Sequence, residues 1–443
     1  METIGELIAR RRAELGMSQT ELAAELCAVA NRHTLTRGEV SRWETGEVRP
    51  GPFWLRHLAT VLEVPIKDLR LARRYARNVS ASLDLGLFTT LSTVDTIAEL
   101  GRADVERRDF VRSATYSLAA VSVPGMDWAG MQERGNLARV GGVRVGMAEV
   151  KAVTAMTEFF AKMDDQYGGG HARSAVAAYL ADDVAAYLRG SYSDKVGRAL
   201  YRAAGELVYL LGWMAYDDEQ HGLAQRYYIQ AVRLATEGGD PLMRSTVLRS
   251  MAAQAAWLGH GPQALRLAEA AAEGARGKAH ARAQAFYAGM QAEAYAANKE
   301  PRRAREAMRI AEAALSRADS QSTPGWTAGY VASSFTYQTG LMLISLGDLA
   351  EAEKQLEHSI EIRGKGKNRS QAMVIGQLAE VQLRRGNVEQ AASTAGMFLD
   401  LFNQIKAERA RTALRNLWES LQPYQDVATV RDWMDRAALA AST

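Results

Sequence analysis

The sequence predicts an all-α protein in two parts, a small head of short capped helices and a long body of stacked helix pairs. Three observations carry this. The first seventy or so residues break into short amphipathic segments with helix-start and helix-stop residues between them. From about residue 145, small residues return at matched places in helix pairs, with first members 40, 40, 48 and 39 residues apart. The chain holds nine prolines and is rich in Ala, Leu and Arg, a helix-forming composition. At 443 residues it also exceeds one ordinary core, so two or three folding units are expected.

The elements follow in order. Ile4 to Leu15 is amphipathic, with Ile4, Leu7, Ile8 and Leu15 on one side, and Gly16 ends it. Ser18 and Glu21 form a capping box that opens a second helix, Gln19 to Leu26. Thr36 and Glu39 form another, which opens a third helix, and Gly46 sits where a left-handed terminator belongs. Val40 and Trp43 lie three apart and face inward. Arg37, Gly38, Ser41 and Arg42 then face out. A guanidinium there suits guanine O6 and N7 in the major groove, although a surface helix with solvated arginines is the bland alternative. Pro52 opens a fourth helix with Phe53, Leu55, Leu58, Ala59 and Leu62 apolar, and Pro65 a short fifth over Ile66 to Leu69. Five short helices with a capped basic one third describe a helix-turn-helix head.

Residues 4–69 resemble the Xre/Cro/phage-repressor family of helix-turn-helix domains. The resemblance rests on Ser18-Gln19-Thr20-Glu21-Leu22-Ala23 and Val40-Ser41-Arg42-Trp43-Glu44-Thr45-Gly46, followed by Arg49-Pro50. It implies that Gln19, Thr36, Arg37, Gly38 and Arg42 occupy DNA-facing positions and that Arg12 pairs with Glu44 near a phosphate. Ser41 and Arg49 complete the candidate DNA-binding set. The link from Leu26 to Leu35 departs from the family. It is about seven residues longer than the usual tight turn, so Cys27 to His33 either bulge out or lengthen helix two. Gly38 offers no side-chain readout, which leaves more of it to Arg37 and Arg42.

Charge agrees with this division. Residues 1–77 carry 13 Lys/Arg against 10 Asp/Glu, whereas the remainder carries 41 of each. The excess positive charge therefore sits on the head and its tail, a modest signal for phosphate contact. A single cysteine, Cys27, excludes an internal disulfide and fits a reduced, cytoplasmic setting. It reads as a small packing residue rather than a redox sensor. No apolar run reaches membrane-spanning length and the N-terminus is not a signal peptide.

Residues 78–144 are expected to be linker and docking helices. Arg70, Arg73, Arg74 and Arg77 precede them, either near the DNA backbone or on a solvated face. Arg107-Arg108-Asp109-Phe110-Val111 before Ala114 to Val123 looks like a twin-arginine export signal. So far inside the chain it is inert as an address, and a helix docked on the body is the preferred reading.

The body spans residues 145–443. Its matched sets are Ala224, Tyr228, Ala231; Ala264, Ala268, Ala271; Ala304, Met308, Ala311; Ala352, Leu356, Ser359; and Ala391, Ala395, Phe398. Each follows a turn: Glu219 to Gly222, Gly259 to Pro262, Asn298 to Pro301, Gly347-Asp348 and Gly386-Asn387. Such a unit cannot bury its apolar face alone, so the units stack into a solenoid with a concave face. Leu346-Gly347-Asp348-Leu349-Ala350-Glu351-Ala352 resembles a tetratricopeptide repeat, but the period is nearer 40 than 34. Leu414, Leu417, Trp418, Leu421, Val430 and Trp433 form a cap at the C-terminal end. Residues 165–188, beginning Asp-Gln-Tyr-Gly-Gly-Gly-His-Ala-Arg, look similar to actinobacterial Xre-plus-repeat regulators linked with secondary metabolism and development.

Catalytic chemistry is not visible. The seven histidines are scattered outside any metal-ligand spacing, so no metal, cofactor or catalytic residue is expected. Gly364-Lys365-Gly366-Lys367-Asn368-Arg369-Ser370 lacks phosphate-loop spacing and reads as an inter-repeat loop. Gly168-Gly169-Gly170 reads as a hinge or turn.

The expected protein is therefore a homodimeric regulator that binds a double-stranded DNA operator. The whole architecture resembles the peptide-sensing Xre-plus-repeat regulators of Gram-positive bacteria, some of them quorum sensors. That resemblance implies a peptide or small-molecule effector in the groove. Tyr287, Gln291, Tyr295, Tyr330, Ser334, Tyr337 and Gln338 are the candidate contacts, an aromatic and amide set at helical spacing. Aromatics at that spacing more often pack repeats together. A scaffold that docks another regulator is the alternative function.

Overall fold

The computed structural model describes residues 4–30, 32, 35–45, 50–66, 69, 92–106, 116, 143–167, 172–318, 326–364, 366–405 and 407–441. Among these residues every extended element is a helix, and the one β feature is an isolated bridge from Arg144 to Ser191. The chain divides into two compact units, Met1–Leu85 and Gly86–Thr443.

The first unit contains α1 (Ile4–Glu14), α2 (Gln19–Ala30), α3 (Arg37–Glu44) and α4 (Pro52–Val61). Their apolar faces close one core that includes Ile4, Ile8, Leu22, Leu26, Val40, Trp43, Leu58 and Leu62. At roughly 1.5–3 kcal/mol for each large side chain removed from water, this core is the main source of stability. Helix α2 does not end at Leu26 but runs on to Ala30. The extra length of the link is thus partly absorbed as helix, because Cys27 packs into the core with its thiol 3.5 Å from the Leu35 carbonyl. Of the expected fifth helix, Ile66 and Leu69 are described as helical, and Leu69 is buried. Gly46 and Arg49 lie outside the described residues, as do residues 70–91, the Arg107–Val111 segment and Gly168–Gly170.

The second unit begins with α5 (Thr93–Glu106), α6 (Met147–Tyr167), α7 (Arg173–Tyr179) and α8 (Ala185–Arg189), with a π-turn at Leu180–Val184. Five helix hairpins follow: α9 (Asp194–Asp217) with α10 (His221–Glu237), α11 (Pro241–Trp257) with α12 (Gly261–Gly274), α13 (Ala281–Ala297) with α14 (Pro301–Ser316), α15 (Ala332–Leu346) with α16 (Leu349–Glu361), and α17 (Asn368–Arg384) with α18 (Val388–Phe402). Helices α19 (Glu408–Leu421) and α20 (Ala428–Ala441) cap them, with Leu414, Leu417, Leu421, Val430 and Trp433 buried in one cluster with α17 and α18. All fifteen residues of the matched sets lie on the second helices and are at most 6% exposed. In three of the four sets that carry a large residue, a glycine on the facing helix makes room. Gly212 meets the Tyr228 ring, Gly340 meets Leu356 and Gly376 meets Phe398.

The hairpin turns share one geometry. Glu219, Gly259, Lys299, Gly347 and Gly386 all have φ between 55° and 85°. The next residue donates its amide to the carbonyl five positions back: Gln220 to Ala215, His260 to Ala255, Glu300 to Tyr295, Asp348 to Leu343 and Asn387 to Gln382. These are Schellman closures, which occupy orphan carbonyls at the end of each first helix. The long interval of 48 residues also has a structural reason. The connection between α14 and α15 reaches back to the first hairpin, where the Trp326 ring packs edge-on against Tyr209 at 4.8 Å and bonds Glu206.

Residues 93–106 form a helix of the second unit. Helix α5 packs on α7, α8 and α10. Asp104 accepts from the Tyr227 hydroxyl at 3.0 Å and pairs with Arg173 at 3.3 Å. Every residue of α10 from Gly222 to Ala235 is therefore buried, Arg226 and Arg233 included.

Candidate nucleic-acid interface

The third helix owes its position to its two ends and its inner face. At its start Thr36 adopts extended geometry, and its hydroxyl accepts from the Glu39 amide at 3.4 Å while the Glu39 carboxylate accepts from the Thr36 amide at 3.0 Å. Both halves of the expected capping box are formed. The box of α2 is formed as well, between Ser18 and Glu21, and the Ser18 amide holds the Glu21 carboxyl below its usual range. On the inner face Val40 and Trp43 are buried. Trp43 stands 6.0 Å from Trp54 of α4, a ring spacing that ties the two helices.

The far end is fixed by Glu44, whose side chain is 8% exposed. Its carboxylate accepts from Arg12 Nε at 2.6 Å and Nη2 at 3.1 Å, and from Gln19 Nε2 at 2.7 Å. Arg12 Nη1 also donates to the Met17 carbonyl at 2.7 Å. One carboxylate thus joins α1, α2 and α3. A fork of two charge-assisted bonds sets direction as well as strength. The carboxylate also raises the Arg12 pKa, chiefly through the hydrogen bond.

The outward surface of α3 carries Arg37, Gly38 and Arg42, all exposed, with Thr36 exposed at its start and Ser41 half-buried. Gln19 and Arg12 are half-buried on the neighbouring helices. The structure therefore brings seven of the eight expected DNA-binding positions onto one module, and Arg49 lies outside the described residues. A Cβ at Gly38 would meet only the Thr36 hydroxyl, at 3.7 Å, so no packing demand explains the glycine.

Three supporting residues escaped the sequence reading. A Cβ on Gly5 of α1 would lie 2.5 Å from the Glu44 carbonyl oxygen and 2.7 Å from that of Trp43, so this glycine sets how closely α1 approaches α3. Arg11 donates from Nε and Nη2 to the Leu62 carbonyl, 3.2 and 3.1 Å away, at the C-terminal end of α4, where a cation meets the helix dipole. Arg32 lies 4.6 Å over the Phe53 ring. Only an arginine inside the extended link could have hinted at the last.

The aromatic and amide set of the second unit is mostly engaged. The Tyr287 hydroxyl bonds the Leu242 carbonyl and Thr246 at 3.0 Å, Tyr295 donates to Glu269 at 2.8 Å, and Tyr330 donates to Gln338 at 2.6 Å. These four residues are buried, while Gln291, Ser334 and Tyr337 are half-buried. Among the described residues no group of three His, Cys, Asp or Glu could hold a metal ion, and no helix is long and apolar enough to cross a membrane.

Comparison with known proteins agrees with the head. A family model described as Helix-turn-helix matches residues 8–69. No curated protein sequence matches the chain. Among solved structures, Bacillus thuringiensis PlcR in complex with the peptide PapR7 and DNA aligns over 94% of this chain and 99% of its own, at 13% identity and a TM-score of 0.29. A score that low carries no argument about the whole chain. What the match and the geometry establish together is that residues 8–69 form an Xre-type helix-turn-helix domain.

Proposed function

We propose that the protein is a sequence-specific transcription regulator that acts as a homodimer. Two copies of α3 then enter successive major grooves of an operator, about one helical turn apart. The observation that carries this reading is the capped helix with Arg37 and Arg42 on its exposed side and its inner face locked by Trp43 and Glu44. The repeat body is the dimerisation and signal-binding part, and a peptide or small molecule bound there shifts the equilibrium between two states of the dimer. The five stacked helix hairpins support that role. The chain is read as cytoplasmic, as a DNA-binding protein would be.

Arg37→Ala and Arg42→Ala should each weaken specific duplex binding by roughly 1–3 kcal/mol, with a salt-dependent remainder. Unchanged affinity in both variants, measured by fluorescence anisotropy, would count against the groove assignment. The alternative, a scaffold for another regulator, predicts partner capture that needs the repeats and ignores both arginines.

A further inference from the structure

Helix α3 carries a glycine that its own fold does not require. Gly38 is the second residue of this eight-residue helix. Glycine destabilises a helix relative to alanine, because it gives up more backbone freedom on folding. Two needs ordinarily offset that loss. One is a left-handed backbone, as at Gly16, Gly347 and Gly386, where φ is 68°, 84° and 85°. Gly38 is helical and is not among the residues with positive φ. The other need is close approach of a second element. A Cβ on Gly5, Gly101, Gly212 or Gly340 would lie 2.5 to 2.8 Å from an atom of another element. At Gly38 the nearest atom among the described residues is the Thr36 hydroxyl, at the ordinary contact distance of 3.7 Å, and the residue is exposed. Alanine would fit there and would favour the helix.

The neighbours of Gly38 say which way the bare position points. Val40 and Trp43 hold the opposite face of α3 in the core. Arg37 precedes Gly38, and Ser41 and Arg42 follow it three and four places on, along the same side. Both arginines are exposed and Ser41 is half-buried. The major groove is about 12 Å wide. A helix with its side chains is about 10–12 Å across. The fit leaves little slack, so the side chains that face the groove floor set how deep the helix sits. At Gly38 there is none.

We infer that Gly38 is a specificity-determining position, at which the bare helix backbone seats against a base edge on the floor of the major groove. A side chain there holds α3 away from the bases and shortens the reach of Arg37 and Arg42. This rests on the reading of the head as a sequence-specific reader of duplex DNA. The partner is a base edge rather than a phosphate, because phosphates line the rims of the groove and a small side chain at its floor does not obstruct them.

The test uses the full-length protein, the duplex it selects from a random pool, and a random-sequence duplex of equal length. Gly38→Ala should lower affinity for the selected duplex about tenfold or more, and Gly38→Leu should lower it further. Affinity for the random duplex, and the salt dependence of binding, should stay as in the parent, since phosphate contacts supply both. In the free protein, hydrogen exchange of the Val40 and Trp43 amides should be unchanged in Gly38→Ala or slower by up to about fivefold, because alanine favours the helix. Weaker reading by a head that is at least as well folded separates a steric role at the groove from a structural one. Full affinity of Gly38→Ala for the selected duplex, an equal loss on both duplexes, or faster exchange at Val40 and Trp43 overturns the inference. A parent protein that selects no duplex overturns the reading of the head and this inference with it. Selection by the parent with full binding by Gly38→Ala overturns this inference alone.

Discussion

Glu44→Ala should destabilise the N-terminal unit by about 3 kcal/mol. The number follows from the geometry. The side chain is 8% exposed and accepts three hydrogen bonds, two from Arg12 and one from Gln19. Removal of one partner of a buried ion pair costs roughly 3–5 kcal/mol, because the other charge is left without compensation. Arg12 is 19% exposed and keeps the Met17 carbonyl, so part of its hydration returns and the lower end of the range applies. Removal of both charges is different. Arg12→Met with Glu44→Leu should lie within about 1 kcal/mol of the parent, since apolar groups of similar volume replace the pair. The assay is hydrogen exchange of the Val40 and Trp43 amides, which reports the opening free energy of α3 within the intact chain. The double-mutant cycle should give a coupling of about 2 kcal/mol or more. A loss below about 1 kcal/mol in Glu44→Ala, or simple additivity, would refute the claim that this carboxylate joins the three helices.

Gly5→Ala should cost the same unit about 1–3 kcal/mol by hydrogen exchange, because its Cβ would strike the backbone oxygens of Trp43 and Glu44. Gly347→Ala, whose φ is 84° and whose Cβ would meet nothing within 4 Å, should cost about 1 kcal/mol from backbone conformation alone, read from the denaturation midpoint. Glu206 has its pKa raised to about 7, first by burial and then by Asp240. The folded state thus holds this proton more tightly than the unfolded chain does. The stability it confers is present below the usual carboxylate pKa and is lost as pH rises through about 7, up to about 3 kcal/mol in all. Glu206→Gln should remove that slope in urea unfolding between about pH 5 and about pH 8; an unchanged slope would contradict the assignment.

The parts of the fold that were legible in the sequence are those written in local chemistry. Thr36 with Glu39 and Ser18 with Glu21 form their capping boxes because both partners lie within one turn. The alanine-based sets emerged because a second helix must present small or matched residues at fixed spacing to its partner. The candidate interface was legible for the same reason, since Val40 and Trp43 inward leave Arg37 and Arg42 outward. What stayed hidden depends on distance along the chain. Nothing local tells that α2 continues to Ala30, because Cys27 is held by Leu35 beyond the link. Nothing around Arg226 shows that α5 will shield α10 from water. Asp164, Asp217, Arg369 and Arg409 meet from four separate helices and share no spacing to read.

The most direct measurement is selection of bound duplexes by the full-length protein from a random pool at physiological ionic strength. The account predicts a recurring sequence with two half-sites about one helical turn apart, lost in Arg37→Ala or Arg42→Ala. A pool that stays random, or a selected sequence that both variants still bind at full affinity, would contradict it.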